Sequence, residues 1–205
     1  MLFIGGLSYK IVIGALCAII PVGIAFFTII MQPDQVILEG YQINRILAWL
    51  QPEKYADSTA YQQLNSITAI GSGQLFGKGL NNNVIASVKN GNFISEPQTD
   101  FIYAVIGEEL GFAGAVAVIA LLIFVVVECL KIARNSKDTA GAIIATGLAS
   151  LICLQGFMNI SVATGLLPNT GIPLPFVSYG LTSLMSLYIG IGVVLNIGLQ
   201  AKKYK

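Results

Sequence analysis

The stretch Phe101-Ile-Tyr-Ala-Val-Ile-Gly-Glu-Glu-Leu-Gly-Phe-Ala-Gly-Ala-Val-Ala-Val-Ile-Ala-Leu-Leu-Ile-Phe-Val-Val-Val-Glu-Cys-Leu130 decides the fold. Its only charged residues are Glu108, Glu109 and Glu128. About 20 apolar residues in a helix cross a hydrocarbon core of about 30 Å, so this run is long enough to span a bilayer. In lipid every backbone polar group has to be paired internally, which predicts a helix. Three further apolar runs, at about 11–31, 140–167 and 174–199, carry the same signal. The expected fold is therefore all-α, a polytopic helical bundle with four spans in a single membrane domain, 1–205.

Composition agrees. Of 205 residues 55% are hydrophobic and 10% charged, and the mean hydropathy is +0.78. Soluble domains carry about 25% charged residues, so part of this chain's solvent is lipid. A net charge of +1 argues against a nucleic-acid partner, because phosphate backbones are bound by clustered cations. There is no histidine, which removes the commonest general base and all His-containing zinc sites. Cys17, Cys129 and Cys153 lie in apolar runs without metal-type or disulfide-type spacing and read as small packing residues. Lys10 precedes the first run. That run is longer than a signal h-region and has no small-residue cleavage site after it, so it reads as a span.

Cations orient the spans. Lys10, then Lys131, Arg134 and Lys137 in the link between the second and third runs, then Lys202, Lys203 and Lys205 flank span ends. Short cationic loops stay cytoplasmic. Both ends and the 131–139 link are expected inside, and a 32–99 loop outside. A loop beyond about 15 residues is usually functional or disordered, and this one has pattern. Ile43, Ile46, Leu47 and Leu50 repeat at helical spacing, followed by Pro52, which predicts a short surface helix. Between Gly71 and Gly79 four of nine residues are glycine, a density that means unusual backbone angles or close approach. Ser95-Glu-Pro-Gln98 has the form of a capping box that opens the second span.

Several side chains are candidates for chemistry. Asp100 is expected about one turn into that helix, at the outer face. There a carboxylate meets both solute and lipid and suits a general base, or is simply a solvated acid favoured by the helix dipole. Glu96, four residues earlier, either shares its face, as a metal-binding or acid–base pair does, or is an exposed first-turn acid. Glu108 and Glu109 lie deeper, Glu108 about 12 Å below Asp100 on a straight helix, and call for a charged partner or a wet cavity. Arg45, Lys78 and Lys89 are outer-loop cations able to meet an anion. Lys78 sits among glycines whose exposed N–H groups would also suit phosphate, although the spacing is not that of a P-loop. Gln155 and Asn159 are one turn apart and read as interhelical hydrogen bonders. Pro168, Pro173 and Pro175 break the backbone before the last span, where Ser178, Tyr179, Thr182 and Ser183 line a cavity or pack.

Two long stretches, Gln98-Thr-Asp-Phe-Ile-Tyr-Ala-Val-Ile-Gly-Glu-Glu-Leu-Gly111 and Gly165-Leu-Leu-Pro-Asn-Thr-Gly-Ile-Pro-Leu-Pro-Phe-Val-Ser-Tyr-Gly180, resemble the SEDS family of shape, elongation, division and sporulation proteins. Arg45-Ile-Leu-Ala-Trp-Leu-Gln-Pro-Glu53 and 69–80 resemble its outer loop, and the wording at 44–53 leans toward the elongation branch. The sequence departs from the family pattern at Ser95, Gln98 and Leu181, where proline, histidine and glycine are frequent.

The resemblance implies the C-terminal half of a ten-span bacterial inner-membrane glycosyltransferase. Such an enzyme polymerises peptidoglycan from lipid II, releases polyprenyl diphosphate, and works beside a class B penicillin-binding transpeptidase. It implies that Asp100 is the catalytic acid residue, acting directly or through a divalent cation, magnesium or manganese, that it would ligate. Arg45, Lys78, Lys89, Glu96 and Ser178 are the expected substrate contacts. A flippase of the same lipid-linked precursor is the alternative, with its coupling acid deeper in the membrane, at Glu108 or Glu109. A scaffold for a transpeptidase is a third.

Overall fold

A computed structural model describes residues 9–30, 40–80, 94 and 97–203. Among these residues there are six α-helices, one 3-10 turn and no strand. The helices are α1 (Tyr9–Ile30), α2 (Gly40–Leu50), α3 (Tyr61–Ser72), α4 (Ile102–Arg134), α5 (Thr139–Ala163) and α6 (Leu181–Lys203), with the 3-10 turn at Pro52–Tyr55. α4, α5 and α6 are long and apolar enough to cross a membrane. α1 overlies the first apolar run, of which Ile13–Gly23 forms a shorter apolar stretch. The helices expose Phe112, Leu121, Phe124, Leu154, Phe157 and Leu195, faces that water does not favour and lipid does.

α5 is the central helix. Asp138 Oδ1 accepts from Gly141 N at 3.2 Å and caps its start. Ala145, Ala149, Ile152, Gly156, Asn159 and Ala163 are buried along one stripe. Small residues let membrane helices approach closely. A methyl on Gly156 would stand 3.4 Å from Leu122 of α4, and one on Gly190 of α6 would stand 2.8 Å from Leu148 of α5. The carbonyls at the α5 C-terminus, orphaned by helix geometry, are taken up by α3. Gln63 Nε2 donates to Val162 O (2.8 Å) and Leu167 O (2.7 Å), and Ser66 Oγ donates to Ala163 O (2.8 Å). One core cluster, which includes Ala69, Phe101, Tyr103, Ile152, Ala163 and Leu174, fills this junction. A second, around Cys129, Ala133, Ala145, Ala149 and Val194, fills the other end of the bundle.

Three boundaries differ from the sequence expectation. The third run stays helical only to Ala163 and the fourth only from Leu181, so 164–180 is irregular rather than a short turn. Prolines 168, 173 and 175 supply no N–H there, and Gly165 and Gly171 have positive φ. The second helix begins at Ile102 rather than near Ser95, which leaves Asp100 in a turn before the helix. Ser95 and Glu96 lie outside the described residues.

The third difference is a break inside α4. Gly111 has φ 65° and ψ −164°, and the interrupted helix is repaired from outside. Lys78 N donates to Glu108 O (2.9 Å) and Gly79 N to Glu109 O (3.1 Å). In return Phe112 N donates to Gln74 O (2.8 Å) and Ala113 N to Leu75 O (3.1 Å). The glycine-rich loop is thus knotted into the kink. Gly77 lies so close to Glu109 O, and Gly111 to Gly77 N, that neither site has room for a β-carbon.

Candidate active site

Asp100 lies half-buried in the turn between Pro97 and Phe101. Three consecutive carbonyls of this turn are held by donors from outside α4. Tyr179 N donates to Gln98 O at 2.9 Å, Ser178 Oγ to Thr99 O at 2.6 Å and Asn159 Nδ2 to Asp100 O at 2.8 Å. These bonds explain why the helix starts late: the carbonyls that would have begun it are already used. Phe101, 1% exposed, anchors the turn in the core.

The carboxylate rests against the 164–180 segment. A β-carbon on Gly171 would stand 3.5 Å from Asp100 Oδ2, and Gly171 itself is exposed. The segment is fastened at several points. Asn159 Nδ2 also donates to Ile172 O (2.7 Å), and Ser178 Oγ accepts from Leu174 N (2.7 Å). On the other side α2 presents Arg45 and Trp49, one turn apart. Arg45 Nη1 donates to Asn169 O (3.1 Å) and Trp49 Nε1 to Gly165 O (3.0 Å). Phe176 adopts φ 64°, which is rare for a bulky residue and persists only where surroundings enforce it. Its ring meets Tyr188 of α6 edge-on, with centroids 5.9 Å apart.

The expected substrate contacts therefore divide. Arg45 lies at this segment, with further N–H donors on its guanidinium beyond the one given to Asn169. Ser178 is 3% exposed and its hydroxyl bridges two backbone groups, which holds the turn. Lys78 is ion-paired with Glu108, Nζ to Oε1 2.8 Å, with side-chain exposures of 37% and 3%. Its charge goes first to the partner that a deep carboxylate requires. Lys89 and Glu96 lie outside the described residues.

No group of three metal-ligating His, Cys, Asp or Glu side chains exists among the described residues, so they form no protein-only metal cage. A magnesium ion held partly by other oxygen donors needs only one or two protein carboxylates, and Asp100 is the carboxylate at this turn that could offer one. The tying role of Asn159 was not visible in the sequence, where it reads as a helix-to-helix contact. Gln63 and Ser66 were missed too, although two polar residues three apart on a half-apolar helix signal a buried hydrogen-bonding face.

The chain is similar to known proteins over most of its length. A Bacillus subtilis protein named probable peptidoglycan glycosyltransferase FtsW is 41% identical over 174 residues, 85% of this chain and 42% of that protein. Stage V sporulation protein E of the same organism is 40% identical over 157 residues, 77% of this chain and 42% of that one. Peptidoglycan glycosyltransferase MrdB of Escherichia coli is 35% identical over 205 residues, 98% of this chain and 52% of that one. The chain thus spans about half the length of the curated relatives it matches, and they do not single out the elongation branch. A solved chain from work on polymerization and crosslinking by a peptidoglycan synthase complex superposes with a TM-score of 0.72 at 24% identity. That match covers 98% of this chain and 52% of the other, and it shows the fold. Residues 1–203 match the family described as cell cycle protein, FtsW/RodA/SpoVE; this membrane chain belongs to that family.

Proposed function

We propose that this chain carries the catalytic side of an enzyme that polymerises peptidoglycan glycan from lipid II. The observation behind the reading is the fixed placement of Asp100. A half-buried carboxylate, tied through its own main chain, stands at the end of a membrane-length helix beside an exposed glycine backbone. A lipid-linked sugar presents its reacting carbon at such a boundary. Asp100 removes the proton from the acceptor sugar hydroxyl, the oxygen attacks the anomeric carbon of the donor, and polyprenyl diphosphate leaves. General-base assistance of this kind supplies about 10²–10⁴-fold.

The leaving diphosphate needs positive charge. Arg45 is the described cation on the 164–180 side of the site, and Lys89 is a second candidate. Magnesium or manganese bound at Asp100 would neutralise the diphosphate, and chelation followed by metal add-back tests that contribution. The sites belong in the extracytoplasmic half of a bacterial inner membrane, with a class B penicillin-binding transpeptidase alongside. Glycan chains formed from labelled lipid II by the purified intact protein, with no partner present, support the polymerase over a scaffold. The flippase reading asks for a deep carboxylate that changes partners. The Lys78–Glu108 pair, part of the knot at Gly111, weighs against it.

A further inference from the structure

Asn159 differs from the other donors at the Asp100 turn. Its single amide nitrogen serves two carbonyls at once, Asp100 O at 2.8 Å and Ile172 O at 2.7 Å. Two acceptors facing one side-chain end require the NH₂ group there, which fixes the amide's orientation. The side chain is 1% exposed, and its Oδ1 has no hydrogen-bond partner. A buried acceptor left unsatisfied is destabilising. An apolar residue of similar volume would spare that oxygen while still filling the α5 stripe. What only the amide provides is a bridge between Asp100 and the segment against which its carboxylate rests.

We propose that Asn159 is a positioning residue, which sets the Asp100 carboxylate by locking the main chain of residue 100 to that of residue 172. The proposal rests on the reading of Asp100 as the base. Ser178 and the Tyr179 N–H hold carbonyls 99 and 98. Loss of Asn159 therefore leaves the turn attached but lets residue 100 shift relative to Gly171.

The test is steady-state glycan polymerisation from labelled lipid II by the intact protein, with melting temperature measured for every variant. Asn159→Ala should lower kcat about 10²-fold, the loss expected from a displacement on the order of 1 Å. KM for lipid II should stay within about threefold, because the substrate contacts are untouched. Asn159→Ser keeps one O–H donor and should fall between the two. In an Asp100→Asn background, Asn159→Ala should change the residual rate by less than about twofold, since no base is left to position. Equal losses in both backgrounds would overturn the proposal, as would parental kcat in Asn159→Ala. If Asn159→Ala does not fold, Asn159→Ser decides by the same criteria. Should Asp100→Asn itself polymerise normally, the base assignment falls and this proposal with it. An inactive Asp100→Asn beside a fully active Asn159→Ser overturns the positioning role alone.

Discussion

Asp100 and Glu108 stand eight positions apart, one just before an apolar run and one inside it, and their surroundings differ. Asp100 is half-buried beside an exposed glycine. Glu108 is 3% exposed and bound to Lys78 at 2.8 Å. Removing one partner of a buried pair is costlier when the group left behind is the buried one. Lys78→Met should therefore destabilise more, by about 3 kcal/mol, than Glu108→Gln, by about 1–2 kcal/mol, because Lys78 is 37% exposed and can be hydrated. Thermal unfolding in detergent measures both. Turnover per folded molecule should stay within a few-fold of the parent, and abolished turnover at normal stability would return Glu108 to the chemistry. The candidacy of Asp100 was legible from its place at the end of an apolar run and from the motif around it. That it precedes the helix was not legible. The donors that hold carbonyls 99 and 100 come from 79 and 59 residues away, and no local pattern encodes them. The same holds for Lys78, whose glycine-rich setting suggests an anion site and whose ion-pair partner lies 30 positions along the chain.

Among the elements, the glycine-rich loop has a structural reason that its composition only hinted at. A transmembrane helix broken at Gly111 exposes carbonyls and N–H groups that lipid cannot satisfy, and residues 74–79 satisfy them. Gly111→Ala would place a β-carbon against Gly77 N at a positive φ and should cost on the order of 3 kcal/mol. A melting temperature unchanged from the parent would refute this account of the knot. The helices α4, α5 and α6 followed from apolar length alone, whereas the kink did not, since Gly107, Gly111 and Gly114 are equally plausible break points in sequence. At the other side of the site, Trp49→Phe leaves Gly165 O without its donor and should cost about 1 kcal/mol. It should also lower turnover modestly by loosening the segment beneath Asp100. A gain in stability in that variant would show that α2 does not fasten the segment.

At the scale of the whole molecule, Asp100 can act on an extracytoplasmic sugar only from the outer side of the membrane. In a background free of Cys17, Cys129 and Cys153, a cysteine replacing Asn90 should react with an impermeant thiol reagent in intact cells, and one replacing Asn135 should not. The reverse pattern would put the carboxylate on the cytoplasmic side. The central claim is that this carboxylate is the base for glycan polymerisation, and the rate of chain formation from labelled lipid II by the purified intact protein tests it most directly. Asp100→Asn is nearly isosteric and should fold and insert normally while the rate falls by about 10²–10⁴-fold. Asp100→Glu keeps the charge but displaces it, and should retain about a hundredth of the activity. Polymerisation by Asp100→Asn within a few-fold of the parent, at equal stability, would contradict the mechanism.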